Sequence, residues 1–153
     1  MCFSQEYFFS KSLEIIEKDA FHYCERLSTV IFPHDSKCKE IQDHAFSSCS
    51  SLTSIILPPL LKEIGWDAFS HCKALCEIKF PNTLTNIQKR AFYNCKSLQL
   101  IDLSFTSLQE MGECTFGYCA SLRSILLPDS LVSLPDYTFC NKIAWKRLNI
   151  THY

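Results

Sequence analysis

Ala45–Pro58 reads AFSSCSSLTSIILP, and this stretch sets the pattern of the whole chain. The motif A-F-x-x-C-x-x-L within it recurs along the sequence, with Thr in place of Ala in the last copy; the copies begin at Ala20, Ala45, Ala68, Ala91 and Thr115. Fixed apolar columns that return roughly every 20 to 30 residues indicate a solenoid, in which each unit buries its face only against its neighbours. The repeat therefore predicts the architecture before any single residue is considered.

The full repeat unit has the form L-x-x-I-x-x-x-A-F-x-x-C-x-x-L-x-x-I-x-L-P. Apolar residues two apart, such as Ile55 and Leu57, are followed by Pro58, and this combination predicts a short strand that ends at the proline. The A-F-x-x-C-x-x-L motif has apolar residues three to four apart, but it is too short for a stable α-helix. We therefore expect a single helical or 3₁₀ turn on the opposite side of each coil.

Both ends of the chain fit the same register, although less regularly. Tyr7 and Phe9 fall in strand columns at the N-terminal end, and Trp145, Leu148 and Ile150 do so at the C-terminal end. We predict seven strand rungs in one domain that covers residues 1–153, with about six to seven repeats of which the first and last are irregular.

The repeat unit resembles the BspA-like, or Treponema-type, leucine-rich repeats of bacterial and protist surface proteins, over roughly residues 4–150. The resemblance implies an α/β solenoid, a right-handed leucine-rich-repeat coil with a short parallel sheet on its concave side. It also implies a protein that binds host proteins or other macromolecules at the cell surface. The N-terminal residues MCFSQE, in contrast, lack the basic and apolar regions of a signal peptide, which favours a cytoplasmic chain. The expected location therefore stays open between the two.

Composition argues against several other classes of protein. The net charge of −1 does not suit a general nucleic-acid surface or a polybasic membrane surface. Apolar runs are only a few residues long, so we expect no membrane insertion. The sequence contains no G-x-S-x-G, H-E-x-x-H, P-loop or dinucleotide fingerprint. We predict a non-enzymatic chain with no cofactor and no small-molecule substrate.

The ten cysteines are arranged by the repeat rather than as a disulfide framework. Half of them form one column, which comprises Cys24, Cys49, Cys72, Cys95 and Cys119. A single column indicates a single role, and free cysteine is small and readily buried, so we predict reduced thiols that fill the core. Cys38, which replaces a leucine of the repeat, fits the same interpretation. Cys2, Cys114 and Cys140 lie outside the column and are candidates for exposed or reactive thiols.

A zinc site is the alternative for part of this set, because His71, Cys72 and Cys76 are soft ligands close in sequence. We do not favour it, since Cys72 should point inward and Cys76 should lie in the next strand. His22 and His44, like His71, are expected to be surface residues of the turns.

Strand alternation predicts which residues face outward from the sheet. These candidate partner-binding residues are Thr29, Ile31, Ser54, Ile56, Glu77, Lys79, Leu100, Asp102, Ser124 and Leu126. The apolar members among them would form a patch rimmed by charges, which suits a protein partner. The alternative is that they are ordinary strand formers, and that the chain is a segment of a longer repeat array or a surface antigen with no ligand of its own.

Overall fold

The computed structural model describes residues 6–135, 137–140 and 149–152, which wind into successive coils. The described residues form short strands, numbered here in chain order. The longer ones are β1 (Glu6–Phe8), β3 (Thr29–Ile31), β5 (Ser54–Ile56), β7 (Glu77–Lys79), β9 (Leu100–Asp102), β11 (Ser124–Leu127) and β12 (Asn149–His152). Two-residue strands lie between them: β2 (Ile15–Ile16), β4 (Glu40–Ile41), β6 (Glu63–Ile64), β8 (Asn86–Ile87) and β10 (Glu110–Met111).

The longer strands confirm the predicted parallel rungs. They pair in the orders β1-β3-β5-β7 and β9-β11-β12, all parallel. The inward residues stay in register from coil to coil, so that Val30 lies opposite Ile55, and Ile125 lies opposite both Ile101 and Ile150. Ile150 thereby confirms the last predicted rung, whereas Trp145 and Leu148 lie outside the described residues. Within the described part of the chain, no strand pairing joins β7 to β9.

A second parallel sheet, in the order β2-β4-β6-β8-β10, covers the rear of the coils. Its inward residues are the isoleucine column of the repeat, for example Ile41 opposite Ile64, and Ile64 opposite Ile87. The sequence showed this column as buried but not as a strand. Each coil thus has two hydrogen-bonded sides, and the A-F-x-x-C segments form a third side.

The prediction of helical or 3₁₀ turns is wrong for the described residues, because no helix forms on this third side. We call it the turn side, and it comprises residues 19–24, 44–49, 67–72, 90–95, 114–119 and 137–140. Its backbone N–H groups alternate between two acceptors. The N–H groups of Ala45 and Ser47 donate to carbonyls three residues earlier, whereas those of His44, Phe46 and Ser48 donate to the next coil. A helix would direct all of these donors within its own segment.

Two residues of each complete turn-side segment have a left-handed backbone. In the second segment they are His44, with φ 55°, and Ser48, with φ 63°. This conformation reverses the chain locally and lets the alternate N–H groups point along the solenoid axis. None of the glycines has a positive φ, so the turns use side-chain-bearing residues throughout the described segments. Such residues cost about 1 to 2 kcal/mol each in this conformation, and the pairing between coils offsets that cost.

The core is a stack of phenylalanine rings that runs along the solenoid. Phe46 and Phe69 have ring centroids 5.2 Å apart with an interplanar angle of 8°, and Phe69 and Phe92 repeat this spacing at 2°. All three side chains are fully buried. Stacked phenylalanines bury a large apolar area, so each coil depends on its neighbours for most of its hydrophobic stabilisation.

All five members of the cysteine column are buried, and four of them, Cys49, Cys72, Cys95 and Cys119, are free thiols. Cys72 Sγ donates to the backbone carbonyl of Phe46 at 3.2 Å, and Cys95 Sγ donates to that of Phe69 at 3.1 Å. The same bond links Cys49 to Phe21 and Cys119 to Phe92. The column therefore ties each coil to the preceding one through a carbonyl that also accepts an N–H bond within its own turn.

Two cysteine expectations are corrected by the structure. Cys114 and Cys140 form a disulfide with a Cα–Cα distance of 5.3 Å, so neither is an exposed reactive thiol. Both occupy the turn side, where neighbouring coils bring their backbones within bridging distance. Cys24, the first member of the column, is also disulfide-bonded rather than reduced. Cys2 lies outside the described residues.

Candidate interaction surfaces

The outward side chains of the longer strands form a surface that we call the front face. All ten residues predicted for it lie on β3, β5, β7, β9 and β11, and their positions alternate with buried residues as expected. Strand register within each sheet, continued from β7 to β9 by the repeat columns of the sequence, divides them into two rows along the solenoid axis. Thr29, Ser54, Glu77, Leu100 and Ser124 form one row, and Ile31, Ile56, Lys79, Asp102 and Leu126 form the other.

The apolar residues of the front face do not form the single patch that the sequence suggested. Ile31 and Ile56 lie in one row together with Phe8, which pairs with Ile31, and their exposed fractions are 66% for Phe8, 39% for Ile31 and 65% for Ile56. Leu100 lies in the other row beyond β7, and Leu126 is half-buried on β11. The apolar surface is therefore concentrated at the N-terminal half, in a strip that we call the apolar strip (Phe8, Ile31 and Ile56).

Charged residues follow the apolar strip along the same face. Ile56 lies opposite Lys79, whose ammonium is 3.8 Å from the carboxylate of Glu77. Both side chains are well exposed, so this ion pair contributes little to the stability of the fold. Asp102 continues the row and accepts hydrogen bonds from the backbone and side chain of Ser104. The front face thus changes from apolar to charged along its length.

A polar groove on the turn side is the feature that sequence reasoning missed. Its volume is about 380 Å³. The residues that line it are His22, Tyr23, His44, Ser47, Ser48, Asp67, Ser70, His71 and Arg90. Ser47 and Ser70 are buried in its lining, and their hydroxyls are hydrogen-bonded to each other at 3.0 Å. Both serines follow the phenylalanine of their repeat, where the coils on either side carry His22 and Tyr93. Small residues between large ones therefore create the depression.

Aromatic and charged side chains bound the groove at its two ends. The imidazole of His22 stacks on the ring of Tyr23 with centroids 4.2 Å apart. At the other end, the guanidinium of Arg90 lies 4.4 Å from the ring centroid of Tyr93, and its Nε is 3.3 Å from Asp67 Oδ1. The Asp67 side chain is only 5% exposed, and Arg90 supplies a compensating positive charge.

The histidines of the groove are only partly the surface residues that the sequence predicted. His22, His44 and His71 are all half-buried along one side of the molecule. The Nδ1 atom of His71 is 2.9 Å from the side-chain amide of Asn94. Burial lowers the pKa of His71, and the carboxylate of Asp67 only partly opposes this shift. His71 is therefore neutral at neutral pH.

The proposed zinc ligands have separate partners. Cys72 Sγ is bonded to the carbonyl of Phe46, Cys76 Sγ donates to the carbonyl of Thr53, and His71 contacts Asn94. Among residues 6–135, 137–140 and 149–152, no group of three or more His, Cys, Asp or Glu side chains could hold a metal ion. None of the described residues belongs to a helix with the length and apolar character needed to cross a bilayer.

The chain matches the family described as BspA type leucine rich repeat region, in six copies over residues 1–104 and 39–152. The chain belongs to this family. A crystal structure from T. pallidum, described as a leucine rich repeat protein, superposes with a TM-score of 0.62 at 36% identity over 67% of this chain. Because the match and the repeat columns agree, the resemblance stated from the sequence is confirmed.

Two other solved structures share the fold of this BspA-type chain at lower identity. A leucine rich cell surface protein from Faecalibacterium prausnitzii has a TM-score of 0.57 at 19% identity, and the pneumococcal vaccine antigen PcpA has 0.57 at 17%, each over 96% of this chain. The BspA-type chain spans 49% of the T. pallidum protein and 59% and 54% of the other two. No curated protein sequence matches the chain significantly.

Proposed function

We propose that this BspA-type chain is a non-enzymatic interaction module that binds a protein partner through its front face. The apolar strip carries the proposal, because Phe8, Ile31 and Ile56 lie on adjacent strands and all remain exposed. Adjacent exposed apolar side chains on a rigid sheet, bordered by charges, are typical of a docking surface. The front face therefore suits a partner with an apolar segment next to a segment of mixed charge.

Two further observations support an interaction role over catalysis. Burial raises the pKa of the Cys49 and Cys119 thiols to about 12, and raises that of Cys72 well above its usual range, so these thiols are poor nucleophiles. The resemblance to surface proteins is supported by the Cys114–Cys140 disulfide, because disulfides persist mainly in oxidising compartments. An adhesion-related role outside the cytoplasm is the specific form of the proposal.

The test replaces Ile56 by Glu and measures capture of extracellular matrix proteins from a defined panel. An unpaired charge in a desolvated interface should weaken binding on the order of tenfold or more, whereas the exposed site should change the stability of the fold by less than about 0.5 kcal/mol. Leu126→Glu tests the charged half of the same face.

Val132→Glu is the matched control, because Val132 is 83% exposed but lies outside the front face. It should leave binding unchanged. If Ile56→Glu folds normally and captures every partner of the unchanged chain, the front-face proposal fails. The alternative proposal, a structural segment of a longer array with no ligand of its own, would then be preferred.

A further inference from the structure

The turn-side groove has the chemistry of a binding site that is separate from the front face. Its lining combines three serine hydroxyls, one tyrosine, three imidazoles, one carboxylate and one guanidinium, and it contains no aliphatic side chain. These groups include both hydrogen-bond donors and acceptors, and they converge on a volume of about 380 Å³. That volume lies in the range of small-molecule pockets, although this groove is more polar than most.

The charges in the groove cancel, and this limits the ligands that it can accept. Asp67 and Arg90 form an ion pair at 3.3 Å, and the half-buried His71 stays neutral at neutral pH. An anionic ligand would face the carboxylate of Asp67, and a cationic ligand would compete with Arg90 for it. A neutral ligand that offers both hydrogen-bond donors and acceptors avoids both the unfavourable contact with the Asp67 carboxylate and the competition with Arg90.

The aromatic end of the groove adds a second requirement. The stacked His22 and Tyr23 rings present a flat surface, and the Tyr23 side chain is well exposed. At the opposite end, the guanidinium of Arg90 lies against the Tyr93 ring and forms an ion pair with Asp67, which positions its N–H groups before a ligand arrives. A ligand for this site needs an apolar face as well as several hydroxyl groups.

We propose that the turn-side groove binds a neutral saccharide unit, either free or at the surface of a glycan. A pyranose ring has C–H groups that can pack on the Tyr23 end, and its hydroxyls can both donate to and accept from the serines, histidines and Arg90. The proposal is independent of the front face, since the groove residues all belong to the turn side.

The experiment applies the 153-residue chain to an array of neutral, sulfated and sialylated glycans. The decisive variant is the double substitution His44→Gly and His71→Gly, which removes two walls of the groove. Both residues have a left-handed backbone, with φ of 55° and 61°, so glycine suits their conformation and the fold should be kept. Tyr118→Gly is the matched control, because Tyr118 has φ 58° but lies outside the groove.

We expect the unchanged chain, Tyr118→Gly and Ile56→Glu to retain the same neutral glycans, and the double variant to bind them about tenfold more weakly or not at all. A free oligosaccharide of the retained type is then added as a competitor. If it displaces the chain from the array, the site accepts a free saccharide. If it does not, the site needs the saccharide at the surface of a glycan. Retention of no neutral glycan, retention of acidic glycans alone, or equal binding by the folded double variant would overturn the proposal.

Discussion

A buried thiol that donates a hydrogen bond explains why cysteine, rather than another small residue, suits the repeat column. The thiol of Cys72 fills the space beneath the turn and also bonds to the Phe46 carbonyl of the preceding coil. Alanine would leave that second acceptor position unused and a small cavity, whereas aspartate would place an unpaired carboxylate in the core. The column is therefore a set of polar contacts as well as of apolar ones.

Alkaline pH should destabilise the protein through these thiols. Burial raises the pKa of Cys49 and Cys119 from 9.0 to about 12, so the folded state keeps protons that the unfolded state releases above pH 9. The stabilisation is complete below pH 9 and is lost as the pH rises toward 12. Urea unfolding at pH 7 to 11 should show this decline.

Replacement of both thiols by serine is the control for that decline. The Cys49→Ser and Cys119→Ser variant keeps a donor to the same carbonyls but has no group that titrates in this range. Its free energy of unfolding should fall less steeply above pH 9 than that of the unchanged chain. Parallel pH profiles would mean that other groups cause the alkaline loss.

At the scale of the element, the turn-side segment was predicted only in part from the sequence. The columns of Phe46 and Ile55 were predicted correctly, because only buried positions exclude polar residues in every unit. The helical turn was wrong, because a spacing of three residues suits both a helix and a β-turn with i to i−3 bonds. No glycine marked the left-handed positions, which His44 and Arg90 occupy instead.

The rear sheet and the groove could not be predicted from the sequence, for two different reasons. Two-residue strands such as β4 are too short to show an alternation of period two. The groove depends on Ser47 and Ser70 lying between His22 and Tyr93, and this contrast appears only when residues more than 20 positions apart are placed side by side. The front-face residues could be predicted, because strand alternation alone decides which side chains point outward.

Substitutions at a left-handed turn position should test the turn geometry directly. Tyr23 has φ 57° and a well exposed side chain. Tyr23→Val should lower the free energy of unfolding by about 1 to 2 kcal/mol, because a β-branched residue strongly disfavours this conformation, and Tyr23→Gly should be clearly more stable than Tyr23→Val.

The same pair of changes at Ser51, an exposed residue whose φ is not positive, should give the opposite order. There, glycine should be the less stable of the two, since it gains nothing from a conformation that any residue adopts. Urea denaturation of the four variants provides the comparison. If Tyr23→Val matched Tyr23→Gly, the left-handed turn would be refuted.

At the scale of the whole molecule, stability should be distributed coil by coil. Each Phe ring contacts mainly the rings before and after it, and the hydrogen bonds between turns join only adjacent coils, so the fold behaves as a one-dimensional array. The Cys114–Cys140 disulfide adds a covalent link across one such junction, between the fifth and sixth turn-side segments.

Removal of this disulfide should therefore weaken one part of the array more than the rest. The bridge closes a loop with a sequence separation of 26, which in the chain-entropy view stabilises the fold by up to about 3 to 4 kcal/mol. In the Cys114→Ser and Cys140→Ser variant, hydrogen exchange should accelerate most around β11 and least around β5. Cys76→Ser, which removes an exposed free thiol, is the control and should leave the hydrogen-exchange rates around both β11 and β5 unchanged. Uniform acceleration along the chain would contradict the coil-by-coil description.

The buried column thiols also impose an order of events on the maturation of the chain. Before folding, all ten cysteines are open to oxidation, and column members one coil apart could be joined as readily as Cys114 and Cys140. Once the coils close, Cys49, Cys72, Cys95 and Cys119 are out of reach of an oxidant. Correct pairing thus requires coil closure to be faster than oxidation, so an oxidase that acts too early would yield scrambled chains from a sequence that is able to fold.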